Sequence, residues 1–152
     1  QWVWQVEGVD CYDDLNSTTP QATLAALEAL ARPVVLIAGG EDKGLDLGGL
    51  AEKLASSARA VILLPGPGSD RLAAALAQTG TRLLRCERLS DAVREGLALA
   101  RSGDALLLSP ALPGFFSLHY RVDGREEGFR AHLRRHSGGR AEPVTHPDSQ
   151  GA

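Results

Sequence analysis

The sequence predicts an α/β fold: a three-layer sandwich around a Rossmann-like, mainly parallel sheet with an N-terminal hairpin. Three observations predict it. Purely apolar runs recur at residues 34–38 (VVLIA), 60–64 (AVILL) and 105–108 (ALLL), and a parallel strand covered on both faces needs such a run. Segments of helical periodicity separate them at short spacing, the pattern of βαβ units with right-handed crossovers. Polar or glycine-rich turns then follow the strands, where open α/β sheets build their sites.

Each element has its own reason. Residues 1–6 and 9–12 alternate apolar and polar around Glu7-Gly8, a hairpin signature in which Trp2, Trp4 and Val6 share a packed face. Thr19 is placed to cap a helix that starts at Pro20, with Leu24, Leu27 and Leu30 as its buried stripe and Arg32-Pro33 as its stop. After the strand at 34–38 and Gly39-Gly40, a helix is expected over 47–57, followed by the strand at 60–64. Pro65-Gly66-Pro67-Gly68 reads as a rigid connection, because its two prolines remove donors that a phosphate loop requires. Ser69-Asp70 opens a helix to 78, and a weaker strand spans 81–86. Ser90 caps a helix to 101, the last strand covers 105–108, and a final helix covers 124–136. Residues 1–136 therefore form one domain. Residues 137–152, rich in Gly, Pro, Ser and charge, are expected to be a disordered tail.

Composition narrows the function. With 152 residues, 43% hydrophobic and 23% charged, the chain is long enough to bury a real core. A net charge of −3 argues against nucleic acid or an anionic membrane as partner. No apolar run approaches the roughly 18 residues that span a bilayer. Cys11 and Cys86 make no disulfide framework and read as two reduced thiols of a cytoplasmic protein. Methionine is absent and the chain opens on Gln1, so the expectation is a piece of a longer polypeptide.

Two segments carry candidate chemistry. Asp13-Asp14-Leu15-Asn16-Ser17-Thr18-Thr19-Pro20 holds more hydrogen-bonding groups than one helix cap needs. Asp14, Asn16, Ser17 and Thr18 either face an anionic ligand at the helix start or build an elaborate turn, which composition favours. Gly39-Gly40-Glu41-Asp42-Lys43-Gly44 lacks the spacing of both the Walker loop and the dinucleotide fingerprint. There Lys43 is a point charge for a carboxylate or phosphate, or equally a solvated turn residue. His119, His132, His136 and His146 show no metal-ligand spacing and fit a solvated surface. No nucleophile–base arrangement stands out.

The order of these motifs resembles the C-terminal domain of the Mur ligases, and among them the D-glutamate-adding members. The resemblance rests on Asp-Asp-Leu-Asn-Ser-Thr-Thr-Pro at 13–20, on Leu-Ile-Ala-Gly-Gly-Glu-Asp-Lys-Gly at 36–44, on Leu107-Leu108-Ser109-Pro110 and on Phe129-Arg130. It implies part of an ATP- and Mg2+-dependent amide ligase of peptidoglycan synthesis. In that reaction the carboxylate of UDP-N-acetylmuramoyl-L-alanine is phosphorylated and the D-glutamate amine attacks the acyl phosphate. The matching positions make Asp14 and Asn16 nucleotide contacts, and Thr18 and Lys43 holders of D-glutamate carboxylates. Asn16 stands where many members have lysine. Ala111-Leu112-Pro113-Gly114-Phe115-Phe116 replaces Ala-Cys-Ala-Ser-Phe-Asp, so the family's substrate-binding serine falls at Gly114 or Phe115. Phe115 is therefore the third D-glutamate candidate. The resemblance also implies a separate central ATPase domain as partner, with no catalytic residue in this chain. Another Mur or folylpolyglutamate-type ligase domain, or a non-catalytic binding domain on the same fold, is the alternative.

Overall fold

A computed structural model describes residues 2–115 and 128–136. The elements run β1 (Trp2–Val6), β2 (Val9–Asp13), α1 (Pro20–Leu30), β3 (Val34–Gly39), α2 (Gly48–Ser57), β4 (Ala58–Leu63), α3 (Pro67–Leu76), β5 (Leu83–Arg85), α4 (Leu89–Leu99), β6 (Ala105–Ala111) and α5 (Phe129–His136). They build one sheet of order β1-β2-β6-β3-β4-β5, parallel except for the β1–β2 hairpin. The segments at 124–127 and 137–152, read from sequence as the start of the last helix and a tail, lie outside the described residues.

The apolar runs become the central strands for the expected reason. All of β3 and β6 is buried, and so are the last four residues of β4. Val35, Ile37, Ile62, Leu106 and Leu108 pack on one face with residues of α4 and α5. Leu36, Val61, Leu63 and Leu107 pack on the other with residues of α1, α2 and α3. Three layers follow, with two cores of comparable extent. Among the described residues no helix is long and apolar enough to cross a membrane. Both cysteines are free thiols.

Several local expectations need correction. Glu7 and Gly8 both have positive φ, the two-residue turn anticipated, but the strand it follows is bulged. Trp2 pairs with Tyr12 and Trp4 with Cys11, so a register shift puts the two tryptophans on opposite faces. Trp2 donates its indole N–H to Asp10, while Trp4 lies under the Arg134 guanidinium, 5.8 Å from the ring centre.

In α1 the cap holds: Thr19 accepts from the Ala22 N–H at 3.2 Å, with Pro20 in the first turn. The buried stripe, however, is Pro20, Thr23 and Leu27, with Leu24 and Leu30 only half-buried. The helix turns the Thr23 hydroxyl as well as Leu27 toward β6. α3 begins at Pro67, inside the segment read as a connection, because proline at the first helical position loses no hydrogen bond. α4 begins at Leu89 rather than at Ser90. The buried Leu89 side chain fixes that start, and no side chain caps it.

Candidate functional site

The chain direction divides at the carboxyl ends of β2, β6 and β3. From β3 the chain moves outward through β4 to β5, then returns by α4 to place β6 between β2 and β3. Open α/β sheets bind ligands at such a point. Here it gathers the 13–19 turn, the 39–44 loop and the end of β6.

The 13–19 turn is fastened to β6 by its backbone. The Asp14 N–H donates to Leu108 O at 2.8 Å, and the Ala111 N–H donates to Ser17 O at 2.9 Å. Side chains add a buried chain of hydroxyls. Ser17 and Ser109 both donate to Asp14 Oδ2, at 2.5 and 2.9 Å, and Ser109 Oγ lies 2.6 Å from Thr23 Oγ1. Ser109 and Thr23 are fully buried and Ser17 nearly so. Buried hydroxyls without partners are costly, so this cluster is built to be satisfied internally. Asn16 and Thr18 point the other way and are exposed. Ser17 and Asp14 Oδ2 take part in holding the turn, while Asn16 and Thr18 are exposed.

The second loop interlocks with its neighbours through glycines. Gly40 O accepts from the Gly68 N–H at 3.0 Å, and the Glu41 N–H donates to Pro113 O at 2.8 Å. A Cβ added at Gly66 would stand 2.4 Å from Gly40 O, one at Gly68 2.4 Å from Glu41 O, and one at Gly40 2.4 Å from Pro113 O. The glycines around this end serve backbone-to-backbone packing of three loops. Ser69 Oγ joins the same junction, donating to Leu64 O and accepting from the Gly40 N–H.

Lys43 projects from this junction, 63% exposed, with Glu41 Oε2 at 3.6 Å. Asp42 braces the loop from inside its own turn. It accepts from the Gly44 N–H and from Arg71, and these contacts hold its carboxyl below the usual range. Glu41 lies against Gly114, whose hypothetical Cβ would meet the Glu41 side chain at 2.7 Å. Phe115 is buried in the core face shared with α4 and α5. Its ring packs there, and the contacts with the 39–44 loop are made by its neighbours Pro113 and Gly114. Ala111, in left-handed conformation at φ 64°, turns the chain out of β6 into this segment.

Thr23 was not singled out in the sequence, and Ser109 and Glu41 entered only as members of the motifs at 107–110 and 36–44, without a role of their own. Ser109 carried a signal, being the one hydroxyl in the apolar run 105–108 and its continuation. Thr23 and Glu41 carried none, since only the packing of α1 on β6 and of Gly114 on the loop brings them in. Among the described residues no group of three or more His, Cys, Asp or Glu is placed to hold a metal ion. A groove of about 410 Å³ between Leu27, Arg32, Lys53 and Arg59 lies at the opposite, amino end of the strands. Its arginines are committed to Asp10 and Asp104.

Comparison with known proteins places this geometry. The family described as "Mur ligase, glutamate ligase domain" matches residues 1–112. UDP-N-acetylmuramoylalanine–D-glutamate ligase of Nitrosospira multiformis is 40% identical over 134 residues, 88% of this chain and 28% of that protein. The enzyme of the same name from Ralstonia nicotianae is 46% identical over 109 residues, 72% of this chain and 22% of that protein. The chain thus spans about a quarter of the curated relatives it matches. Among solved structures, a domain assigned to a UDP-N-acetylmuramate:L-alanyl-gamma-D-glutamyl-medo-diaminopimelate ligase of Haemophilus ducreyi superposes with a TM-score of 0.56. It is 19% identical, and the match covers 77% of this chain and 89% of that one. At that identity the likeness is one of fold.

Proposed function

Because this chain belongs to the Mur ligase family as its glutamate ligase domain, we propose that it is the amino-acid-binding part of an ATP-dependent ligase joining D-glutamate to UDP-N-acetylmuramoyl-L-alanine. One observation carries the reading: Thr18 and Lys43, from loops some 25 residues apart in sequence, both stand exposed at the carboxyl end of the same sheet. A dicarboxylate needs charge-assisted donors from more than one side. Lys43 supplies the cation, and its exposed, 3.6 Å contact with Glu41 is weak enough for a substrate carboxylate to replace it. Thr18 supplies a hydroxyl. Phe115, buried in the core, offers no side chain to this site.

Asp14 supports the nucleotide side of the proposal, since a carboxylate oxygen suits the paired hydroxyls of a ribose. Asn16 stands exposed beside it. ATP with Mg2+, held mainly by the central domain, supplies the phosphoryl group that activates the substrate carboxylate. The residues of this chain bind and orient, and the bond-making groups lie in the other domains. In the full-length ligase, Lys43→Ala is expected to raise KM for D-glutamate about a hundredfold, the scale of a lost charge-assisted contact, with KM for ATP unchanged. An unchanged KM for D-glutamate would make Lys43 a turn residue and remove the reading.

A further inference from the structure

The hydroxyl chain beneath Asp14 has a direction that proton counting fixes. A serine hydroxyl carries one proton, and a carboxylate oxygen accepts. Ser109 spends its proton on Asp14 Oδ2, so in the 2.6 Å contact between Ser109 and Thr23 the donor is Thr23. Ser17 donates to the same Oδ2 from the other side. The order is therefore Thr23 to Ser109 to Asp14, with Ser17 closing on the same oxygen. Both donors converge on Oδ2, and among the described residues no hydrogen bond is made to Asp14 Oδ1.

The chain also ties three elements together. Thr23 belongs to α1, Ser109 to β6, and Asp14 and Ser17 to the turn between β2 and α1. A turn that needed only to be held shut would be served by its backbone bonds to Leu108 and Ala111. The hydroxyls add to this a choice between the two carboxylate oxygens: both bonds fall on Oδ2, and none among the described residues falls on Oδ1.

We propose that Ser109 and Thr23 are positioning residues for nucleotide binding: they anchor Asp14 by Oδ2 and present Oδ1 to the hydroxyls of a bound ribose. This deepens the proposed function and rests on its assignment of Asp14 to the nucleotide. Ser109 touches no ligand. It acts through Asp14, polarised in turn by Thr23.

The test is binding of ADP to the full-length ligase by calorimetry, with thermal melting alongside. Asp14→Asn sets the reference, an expected rise in Kd of about tenfold for a lost bond to a charged acceptor. Ser109→Ala is expected to match it, and the double variant to be no weaker than Asp14→Asn alone. Thr23→Val is expected to weaken ADP severalfold while Thr23→Ser restores it, with KM for D-glutamate unmoved in every variant. A normal Kd in Ser109→Ala beside a raised one in Asp14→Asn overturns the positioning role and leaves the nucleotide reading standing. Additive losses in the double variant overturn it too. A normal Kd in Asp14→Asn removes the nucleotide reading and the positioning role with it. If Ser109→Ala does not fold, the Thr23→Val and Thr23→Ser pair decides: equal Kd values in both overturn the proposal.

Discussion

The two ends of the sheet use charge in opposite ways. At the amino end the two groove arginines, Arg32 and Arg59, are each closed on a carboxylate. Arg32 pairs with Asp10 at 2.9 Å and donates to the Tyr12 hydroxyl, and Arg59 grips Asp104 through two nitrogens. Asp104 is 3% exposed and also accepts from the Arg101 N–H. At the carboxyl end Lys43 keeps only a loose exposed pair, and Asp14 keeps one oxygen outside its hydroxyl chain. A half-buried pair costs stability when one partner is removed, whereas a loosely paired exposed charge at a switch point is available to a ligand. The same strands thus carry a clamp at one end and the proposed ligand site at the other.

The largest expected effect breaks the carboxyl end by its backbone. Gly66→Ala drives a Cβ to 2.4 Å from Gly40 O and must separate the loops that carry Lys43. At φ 158° the alanine is strained as well. Thermal melting of the chain is expected to show a loss of about 3 kcal/mol, the upper range for overpacking. A melting temperature equal to the parent's would mean that the junction gives way freely.

Breaking the clamp comes next. Asp104→Asn leaves Arg59 without its carboxylate and is expected to lower the melting temperature by about 5 °C. In the full-length ligase it should leave KM for D-glutamate and for ATP untouched. A change in either constant would show that the two ends are coupled and that the contrast is false.

The smallest effect sharpens the contrast by pH. Burial by itself would raise the Asp104 and Asp10 carboxyls. The bonds to Asp104 from Arg59 and the Arg101 N–H, and those to Asp10 from Trp2, Arg32 and Gln5, outweigh it and hold both below the usual carboxylate range. A depressed folded-state value means stability that is present above the unfolded pKa, near 3.8, and is lost as pH falls through the folded value. Acid unfolding of the chain should therefore lose a component below about pH 4 that Asp104→Asn removes and Lys43→Ala leaves in place. Equal acid profiles for the parent and Asp104→Asn would dismiss the clamp.

Much of this was legible in the residues themselves. The apolar runs at 34–38, 60–64 and 105–108 determined parallel strands buried on both faces, because only such strands bury every side chain. Glu7-Gly8 determined a tight hairpin, and Thr19-Pro20 a capped helix start, since these are properties of neighbours in the chain. The motifs at 13–20 and 36–44 were enough to mark the family.

What the tertiary structure decided is which residue meets which. Thr23 looked like one more residue of the first helix, and only the packing of α1 against β6 turned it onto Ser109. The bulge that parts Trp2 from Trp4 depends on pairing with β2, and the start of α4 depends on Leu89 reaching the core. Phe115, aligned with a substrate-binding position, is claimed by the core through its ring. Local patterns fix periodicity and turns because their energies are local. Hydroxyl chains, loop junctions and charge pairs join residues as much as 95 positions apart, and no pattern along the chain encodes those distances.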